Sequence, residues 1–303
     1  MIKSNNQIIS ESDIKRVKGL GCLKDKRYSD IFNIRVITVN GKITTEKARI
    51  IMDAADKFGS GEVTLTARQT IEVQGIPYSN IDNFIKYLND NDIQTGGTGP
   101  KVRPIVSCKG TTCQYGLIDT FSLSEKIHDV FYTGYHDVVL PHKFKIGVGG
   151  CPNNCIKPEL NDLGVIGQVV PTIKMDKCHL CKVCNVSTKC PMKAVKVNEN
   201  NIDIDSNVCN NCGRCINMCP FNAVTKEVVG YKIYIGGRWG KKTAKGIALD
   251  KVFTSEEEVM NVIHKTINLF KDEGIAGERL SDTINRLGFD YIQNKLIGTI
   301  DEK

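Results

Sequence analysis

Cys209-Asn210-Asn211-Cys212-Gly213-Arg214-Cys215-Ile216-Asn217-Met218-Cys219-Pro220 sets four cysteines at spacings of two, two and three residues and closes on proline. Three thiolates on so tight a loop can reach three irons of one cube, and the fourth, displaced by a turn, reaches a neighbouring cube. Upstream, Cys178, Cys181, Cys184 and Cys190-Pro191 repeat the head of this run, with two extra residues before the last cysteine. A pair of zinc knuckles is the alternative, because four-cysteine sites also suit zinc. Eight cysteines in two proline-terminated runs weigh against zinc.

The pattern resembles the bacterial-type two-cluster ferredoxins. In their crossed arrangement Cys178, Cys181, Cys184 and Cys219 hold one 4Fe–4S cluster, and Cys209, Cys212, Cys215 and Cys190 hold the other. The longer spacing before Cys190 widens that loop without removing a ligand.

The rest of the 303 residues is ordinary for a globular protein: 41% apolar, 25% charged, net charge +7. Apolar runs are far short of a membrane span, and Met1 to Asp13 lacks the hydrophobic core of a signal peptide, so a cytoplasmic protein is expected. No run of five or six basic residues and no binding motif points to nucleic acid. The basic surplus suits anionic ligands or an acidic electron donor. Thirteen cysteines without a secretion signal indicate metal, not disulfides. Beyond the eight above stand Cys108, Cys113, Cys151 and Cys155, and finally Cys22, read as a small buried residue.

Phe32 to Val39 is β-rich and ends at Asn40-Gly41. Thr44 or Thr45 caps a helix with Ala48, Ile51, Met52, Ala55 and Phe58 on its apolar face. Val63–Thr66 and Thr70–Gln74 read as strands, and Tyr78–Leu88 as a helix, giving a β-α-β-β-α unit. After the glycine-rich joint Gly96–Pro100, strands are expected at Val102–Ser107, Val138–Val148 and Leu163–Val170, with a helix at Leu117–Val130. Tyr231–Ile235 reads as a strand rejoining that sheet, and Glu256–Lys271 as a long amphipathic helix. The cysteine-dense segment therefore lies inside the sequence of a second unit. The domains are 1–99, then 100–170 with 228–303, then an insertion at 171–227.

Three further stretches carry a resemblance. Gly149-Gly150-Cys151-Pro152-Asn153-Asn154-Cys155, Thr66-Ala67-Arg68-Gln69-Thr70 and Leu140-Pro141-His142-Lys143-Phe144-Lys145 resemble, in the same order, signature segments of the sirohaem sulfite and nitrite reductases. With the insertion added, the chain is similar to the C subunit of the anaerobic, NADH-linked sulfite reductases, and dissimilatory subunits carry a related insertion. The resemblance implies an α+β fold: ferredoxin-like units forming a sirohaem-binding domain, with an inserted two-cluster ferredoxin domain. It covers most of the chain, including a glycine-rich return strand at Gly236–Gly240, next to which Trp239 is read as packing.

What the family implies is a third 4Fe–4S cluster on Cys108, Cys113, Cys151 and Cys155, with Cys155 also ligating the sirohaem iron. Cys108 and Cys113 are separated by four residues where several relatives have five. Sulfite is a dianion and sirohaem a polycarboxylate, so the pocket needs cations; each favourable pair near 4 Å returns about 4 kcal/mol at an effective dielectric of 20. By resemblance Lys143, Lys145 and Arg103 contact substrate, and Arg68 contacts sirohaem through its bidentate fork. Thr66, Gln69, Arg103, Lys109, Asn153 and Cys155 complete the cofactor set. The family's first-strand arginine falls on Ile37; Arg35, on the same strand face, replaces it or serves only the cofactor. A Lys-x-Lys pair alone is usually a solvated face, and His142 reads as structural or as a proton relay. No Gly-x-Gly-x-x-Gly follows a strand, so partners are implied: a flavin subunit that oxidises NADH and a further iron–sulfur subunit.

Overall fold

The computed structural model describes Ser4 and residues 7–298; the outermost residues of the predicted first and last domains, and part of Met1 to Asp13, lie outside the described residues. The chain divides into two units: residues 1–107, 124–146 and 266–289, and residues 108–123, 147–265 and 290–303. This division follows contacts, and it cuts the chain differently from the boundaries read off the sequence.

In the first unit, Asn40 and Gly41 both take positive φ (53° and 77°), the pair of left-handed residues that a type I′ turn requires. The turn follows a strand of a four-stranded antiparallel sheet: β1 (Cys22–Lys24), β2 (Ile31–Val36), β3 (Val63–Leu65) and β4 (Ile71–Pro77), in the order β1-β2-β4-β3. Helix α1 (Glu11–Gly19) and β1 extend the expected β-α-β-β-α unit at its start. Helix α2 (Thr45–Phe58) begins where Thr44 Oγ1 accepts the Lys47 N–H at 3.2 Å. It buries Ile51, Ala54 and Ala55, while Met52, expected in the core, is 39% exposed. Helix α3 (Ile81–Asn89) buries Ile81, Phe84 and Leu88, and Phe58 meets Phe84 edge-on at 6.1 Å. Burial of each large apolar side chain here is worth about 1.5–3 kcal/mol. Cys22 is buried as expected.

The second sheet contains β5 (Val106–Ser107), β6 (Ile146–Gly149), β7 (Leu163–Ile173), β10 (Val224–Ile235) and β11 (Ile247–Phe253), in the order β11-β10-β7-β6-β5. Strands β7 and β10 pair antiparallel along their length, from Leu163↔Ile235 to Ile173↔Val224. Between them lies the cysteine-dense segment, with its own hairpin of β8 (Val195–Val197) and β9 (Ile202–Ile204). It leaves and returns through Lys174 N–H bonded to Ala223 O at 2.7 Å, a few residues inside the expected limits of 171 and 227.

Several expectations are corrected. The strand expected at Val102–Ser107 contracts to β5, with an isolated parallel bridge from Val102 to Phe144. Pro104 has no N–H to give a ladder. The strand at Val138–Val148 contracts to β6. The helix at Leu117–Val130 starts later, because the Asp119 carboxylate caps it by accepting the Ser122 N–H at 3.0 Å. It runs as α4 (Thr120–Ile127) and continues as a π-helical turn, His128–Thr133. Gly236–Gly240 is a turn, not a strand: Gly236 has φ 80°, and a Cβ on Gly237 would collide with Glu159 O. Trp239, expected to pack, is 64% exposed. Helices α5 (Asn185–Lys189), α6 (Glu256–Glu273), α7 (Leu280–Leu287) and α8 (Phe289–Ile297) complete the described chain.

Candidate metal centres and cationic pocket

Two glycines bring the scattered cysteines together. Cys108 and Cys113 flank a 3-10 turn, Gly110–Thr112, and Cys151 and Cys155 lie in the loop after β6. A Cβ on Gly150 would stand 2.8 Å from Gly110 Cα and 3.4 Å from Cys108 Sγ, so the two backbones touch only because neither residue has a side chain. Gly150 N–H donates to Cys108 Sγ at 3.1 Å, Leu117 N–H to Gly150 O at 2.9 Å, and Thr120 Oγ1 to Cys108 O at 2.8 Å. Burial raises the Cys151 thiol pKa; the Asn153 amide opposes this, and the neighbouring Cys108, Cys155 and Cys113 thiols add to it. Cys108, Cys113 and Cys151 are half-buried, whereas Cys155 is exposed. Within the loop Asn154 takes φ 58°, and its side-chain amide donates to the buried Glu159 carboxylate. Lys109 and Asn153 are exposed.

The other eight cysteines lie in the loops around the β8–β9 hairpin, where Cys190 and Cys215 pack on the same apolar cluster as Cys178, Cys184 and Cys219. Cys190, Cys209, Cys212 and Cys215 line one cavity with Pro171, Pro191 and Val195. Burial pushes the Cys215 thiol up to about 11, reinforced by Cys209 and Cys212, and burial likewise raises Cys209. Cys178, Cys184 and Cys219 pack against Val186, Val195, Ile202 and Val224. Phe221, two residues after Cys219, lies on His179, one after Cys178, with ring centroids 4.1 Å apart. Leu180, Lys193, Asn211 and Asn217 take positive φ in these loops, as does Gly213, whose Cβ would press on Val169 Cβ at 3.1 Å. Among the described residues no His, Cys, Asp or Glu side chains are gathered closely enough to hold a single metal ion. A cube is a different demand, since its four thiolates bind four separate corners.

The group of Cys190, Cys209, Cys212 and Cys215 touches β7 and the Cys113 loop. Val169 N–H donates to Asn211 O at 2.8 Å, Asn211 Nδ2 to Gln168 Oε1 at 3.1 Å, and the Arg214 guanidinium lies over the Tyr115 ring at 4.9 Å. Arg214 sits between Cys212 and Cys215, and Tyr115 two residues after Cys113.

In the first unit, three of the expected cations, Arg35, Arg68 and Arg103, meet at Gly97 and Pro104. Arg35 and Arg68 line a cavity of about 220 Å³ with Thr66, Ala67, Thr70, Gly97 and Pro104. Arg35 donates to Gly97 O at 3.1 Å and to Glu72 Oε2 at 3.3 Å; Arg103 also donates to Gly97 O, and Arg68 to Pro104 O at 2.7 Å. Among the described residues no acceptor reaches the buried Nε of Arg35. Thr66–Thr70 is the β3–β4 turn, with Gln69 at φ 59°. The Gln69 amide is used by the backbone: Nε2 donates to Ser107 O at 2.7 Å and Oε1 accepts Ser107 N–H at 2.9 Å. Lys143 and Lys145 flank the fully buried Phe144, so they share the opposite side of an extended segment, both half-buried. They lie just before β6, not on a strand. His142 Nδ1 accepts the Lys143 N–H at 2.7 Å, a structural bond.

Sequence reading missed His128. It is 4% exposed, its Nδ1 has no hydrogen-bond partner among the described residues, and burial lowers its pKa. With Ile37, Thr38, Lys42 and Lys47 it lines a cavity of about 660 Å³. The π-helical turn that puts it there has no pattern in the sequence.

Residues 98–302 match the family described as "Nitrite and sulphite reductase 4Fe-4S domain", and residues 25–91 match the "Nitrite/Sulfite reductase ferredoxin-like half domain". The chain belongs to the nitrite and sulphite reductase family. It is 30% identical over 291 residues to the coenzyme F420-dependent sulfite reductase of Methanocaldococcus jannaschii, covering 95% of this chain and 45% of that protein. It is 28% identical over 184 residues to the C subunit of the anaerobic sulfite reductase of Salmonella typhimurium, covering 56% of this chain and 52% of that one. The chain thus spans about half the length of these curated relatives. A crystal structure of dissimilatory sulfite reductase I superposes with a TM-score of 0.71 at 23% identity, over 91% of this chain and 72% of that one, a likeness of fold. Among the described residues no helix is long and apolar enough to cross a membrane.

Proposed function

We propose that this chain is the catalytic subunit of an anaerobic sulfite reductase, carrying out the six-electron reduction of sulfite to sulfide. The observation that carries the reading is that Cys108, Cys113 and Cys155 stand near enough to Cys151 to raise its thiol pKa, with Cys108 at the Gly110–Gly150 contact and Cys155 alone of the four exposed. An exposed thiolate beside three half-buried ones has a side open to a second metal. The donor set fits a 4Fe–4S cluster bridged by Cys155 to a sirohaem. The arginine-lined cavity, with Arg35 Nε left over, fits that cofactor's carboxylates.

When bound, that coupled pair supplies the electrons no side chain can store. The chain's own residues do the rest. Arg68, with Thr66 in the same turn, serves the cofactor's carboxylates; Arg103, Lys143 and Lys145 hold the sulfite dianion, and the two lysines deliver protons to its oxygens. Arg35, tied to Glu72 and Gly97 O, lines the same cavity as Arg68 and serves the cofactor side. Gln69 acts through Ser107, holding the backbone that leads to Cys108. Lys109 and Asn153 belong to the loops beside the cluster. The segment 171–227 is a ferredoxin domain inserted between 100–170 and 228–303, with 1–99 as the half-domain; its eight cysteines would hold two 4Fe–4S clusters, which would supply one-electron transfer to the sirohaem site. NADH is oxidised on a flavin subunit and electrons pass through a further iron–sulfur subunit, in the cytoplasm. The same cations suit nitrite.

The test is Cys155→Ser in protein loaded with sirohaem in vivo. Loss of the sirohaem visible bands together with loss of sulfide formation is expected, the clusters on residues 178–219 surviving. Retained bands and retained sulfide overturn the reading, and turnover on both anions with a large preference for nitrite overturns the choice of sulfite.

A further inference from the structure

The two crossed cysteine groups stand in unlike surroundings. The group of Cys190, Cys209, Cys212 and Cys215 is the one joined to the Cys113 loop through Arg214 on Tyr115 and to β7 through Val169 and Asn211. The group of Cys178, Cys181, Cys184 and Cys219 carries the more exposed apolar side chains: Val183, between two of its cysteines, is 73% exposed and Phe221, beside His179, 43%, against 38% for Met192 and 40% for Val208 beside Cys190 and Cys209. Large apolar side chains held in water around a metal loop mark a contact surface.

Charge is uneven along the segment, with Lys174, Lys177 and Lys182 beside Cys178 and Cys181, and Lys189 and Lys193 beside Cys190. Residues 174–193 carry Lys174, Lys177, Lys182, Lys189 and Lys193, all exposed, against Asp176, five positive minus one negative for a net +4. Residues 194–208 carry Lys196 against Glu199, Asp203 and Asp205, one minus three for a net −2. Exposed lysines near exposed apolar side chains steer an acidic partner and leave an apolar final contact.

We propose that the surface around Cys178, Cys181 and Cys184, with exposed Val183, Phe221, Lys174, Lys177 and Lys182, is where electrons enter, from an acidic carrier protein with an apolar patch over its own redox centre. Electrons then run from the Cys178 group to the Cys209 group and leave beside Tyr115. This rests on the reading of the segment as a two-cluster electron path, and it commits that path to one direction and one kind of donor.

The test uses the full chain with its clusters and a reduced bacterial two-cluster ferredoxin, an acidic carrier, as the probe. Stopped-flow bleaching of the chain's clusters is followed at low and high salt, beside bleaching by dithionite-reduced methyl viologen. Lys174→Glu with Lys182→Glu should slow ferredoxin bleaching about tenfold or more at low salt and flatten its salt dependence. The viologen rate should stay within about twofold, which shows that the clusters are intact. The same change at the exposed Lys241 and Lys242 should leave the ferredoxin rate unchanged. Equal slowing by both pairs means net charge alone acts and overturns the proposal, as does an unchanged rate in the first pair. Because the readout is bleaching and not sulfide, fast salt-sensitive bleaching without sulfide would count against the sulfite reductase reading while supporting this face.

Discussion

Replacing Gly150 by alanine tests how the cysteine loops are brought together. The added methyl would lie 2.8 Å from Gly110 Cα, 3.3 Å from Thr120 Cγ2 and 3.4 Å from Cys108 Sγ. Carbon atoms rest at about 3.5–4.0 Å, so the Gly110 backbone must retreat by roughly 0.7 Å or more. No flexible side-chain end can absorb that shift, because the nearest atom is backbone on a turn fixed by the Cys113 N–H to Gly110 O bond at 3.2 Å. Overpacking of this kind costs about 1–3 kcal/mol, and the movement carries Cys108 Sγ away from the Gly150 N–H. The assay is iron and acid-labile sulfide per chain with the spectrum of the reduced clusters. On the proposed complement of three cubes, Gly150→Ala should lose about a third of the iron and keep the signals of the two proposed on residues 178–219. Gly240→Ala, with nothing near its added methyl, should match the parent protein. If Gly150→Ala keeps full iron, an unshifted spectrum and an unchanged Tm, the close approach is not what gathers these four thiolates.

Crossed ligation predicts that Cys190→Ala abolishes the signal of the cluster on Cys209, Cys212 and Cys215, while Cys219→Ala abolishes that of the other; paramagnetic resonance of the reduced protein separates them. Burial pushes the Cys22 thiol up to about 12. With its folded pKa above the ordinary thiol value of 9.0, Cys22 favours the fold fully below pH 9 and loses that contribution as pH rises toward 12. Iodoacetamide at pH 8 should therefore leave Cys22 unmodified in folded protein and label it after denaturation; labelling at equal rates in both states refutes the burial. Gly19 ends α1 with no atom within 4 Å of where an added Cβ would stand, so Gly19→Ala should stabilise by about 0.5–1 kcal/mol, read as a rise in urea midpoint.

Much of the first unit was legible because its elements are amphipathic and capped. Thr44, Asn40-Gly41 and the alternation from Phe32 to Val36 each name a local conformation. The helix ends drifted where a side chain outside the periodic run decided them, as Asp119 does for α4. Trp239 was misplaced because composition cannot tell a glycine turn from a glycine-bearing strand; the close approach of Gly237 to Glu159 O is tertiary. The cysteines were legible as chemistry because thiolate spacing on a loop reports which cube corners it can reach. His128 was not, since a lone histidine in an apolar helix reads as core, and only folding shows that it lines a cavity. The linkage of Gln69 to the Ser107 backbone was equally hidden: an amide that mimics a strand neighbour leaves no trace in sequence spacing.

The long pairing of β7 with β10 also says how the cysteine-dense segment can change over time. Its first and last residues are already a strand spacing apart, roughly 4.8 Å, and the main bond back to the ladder is Val169 N–H to Asn211 O. Closure entropy grows only with the logarithm of loop length. The hairpin is therefore a socket: a short turn joining Ile173 to Val224, or a different module with neighbouring termini, should seat there at the cost of the Val169 and Gln168 contacts.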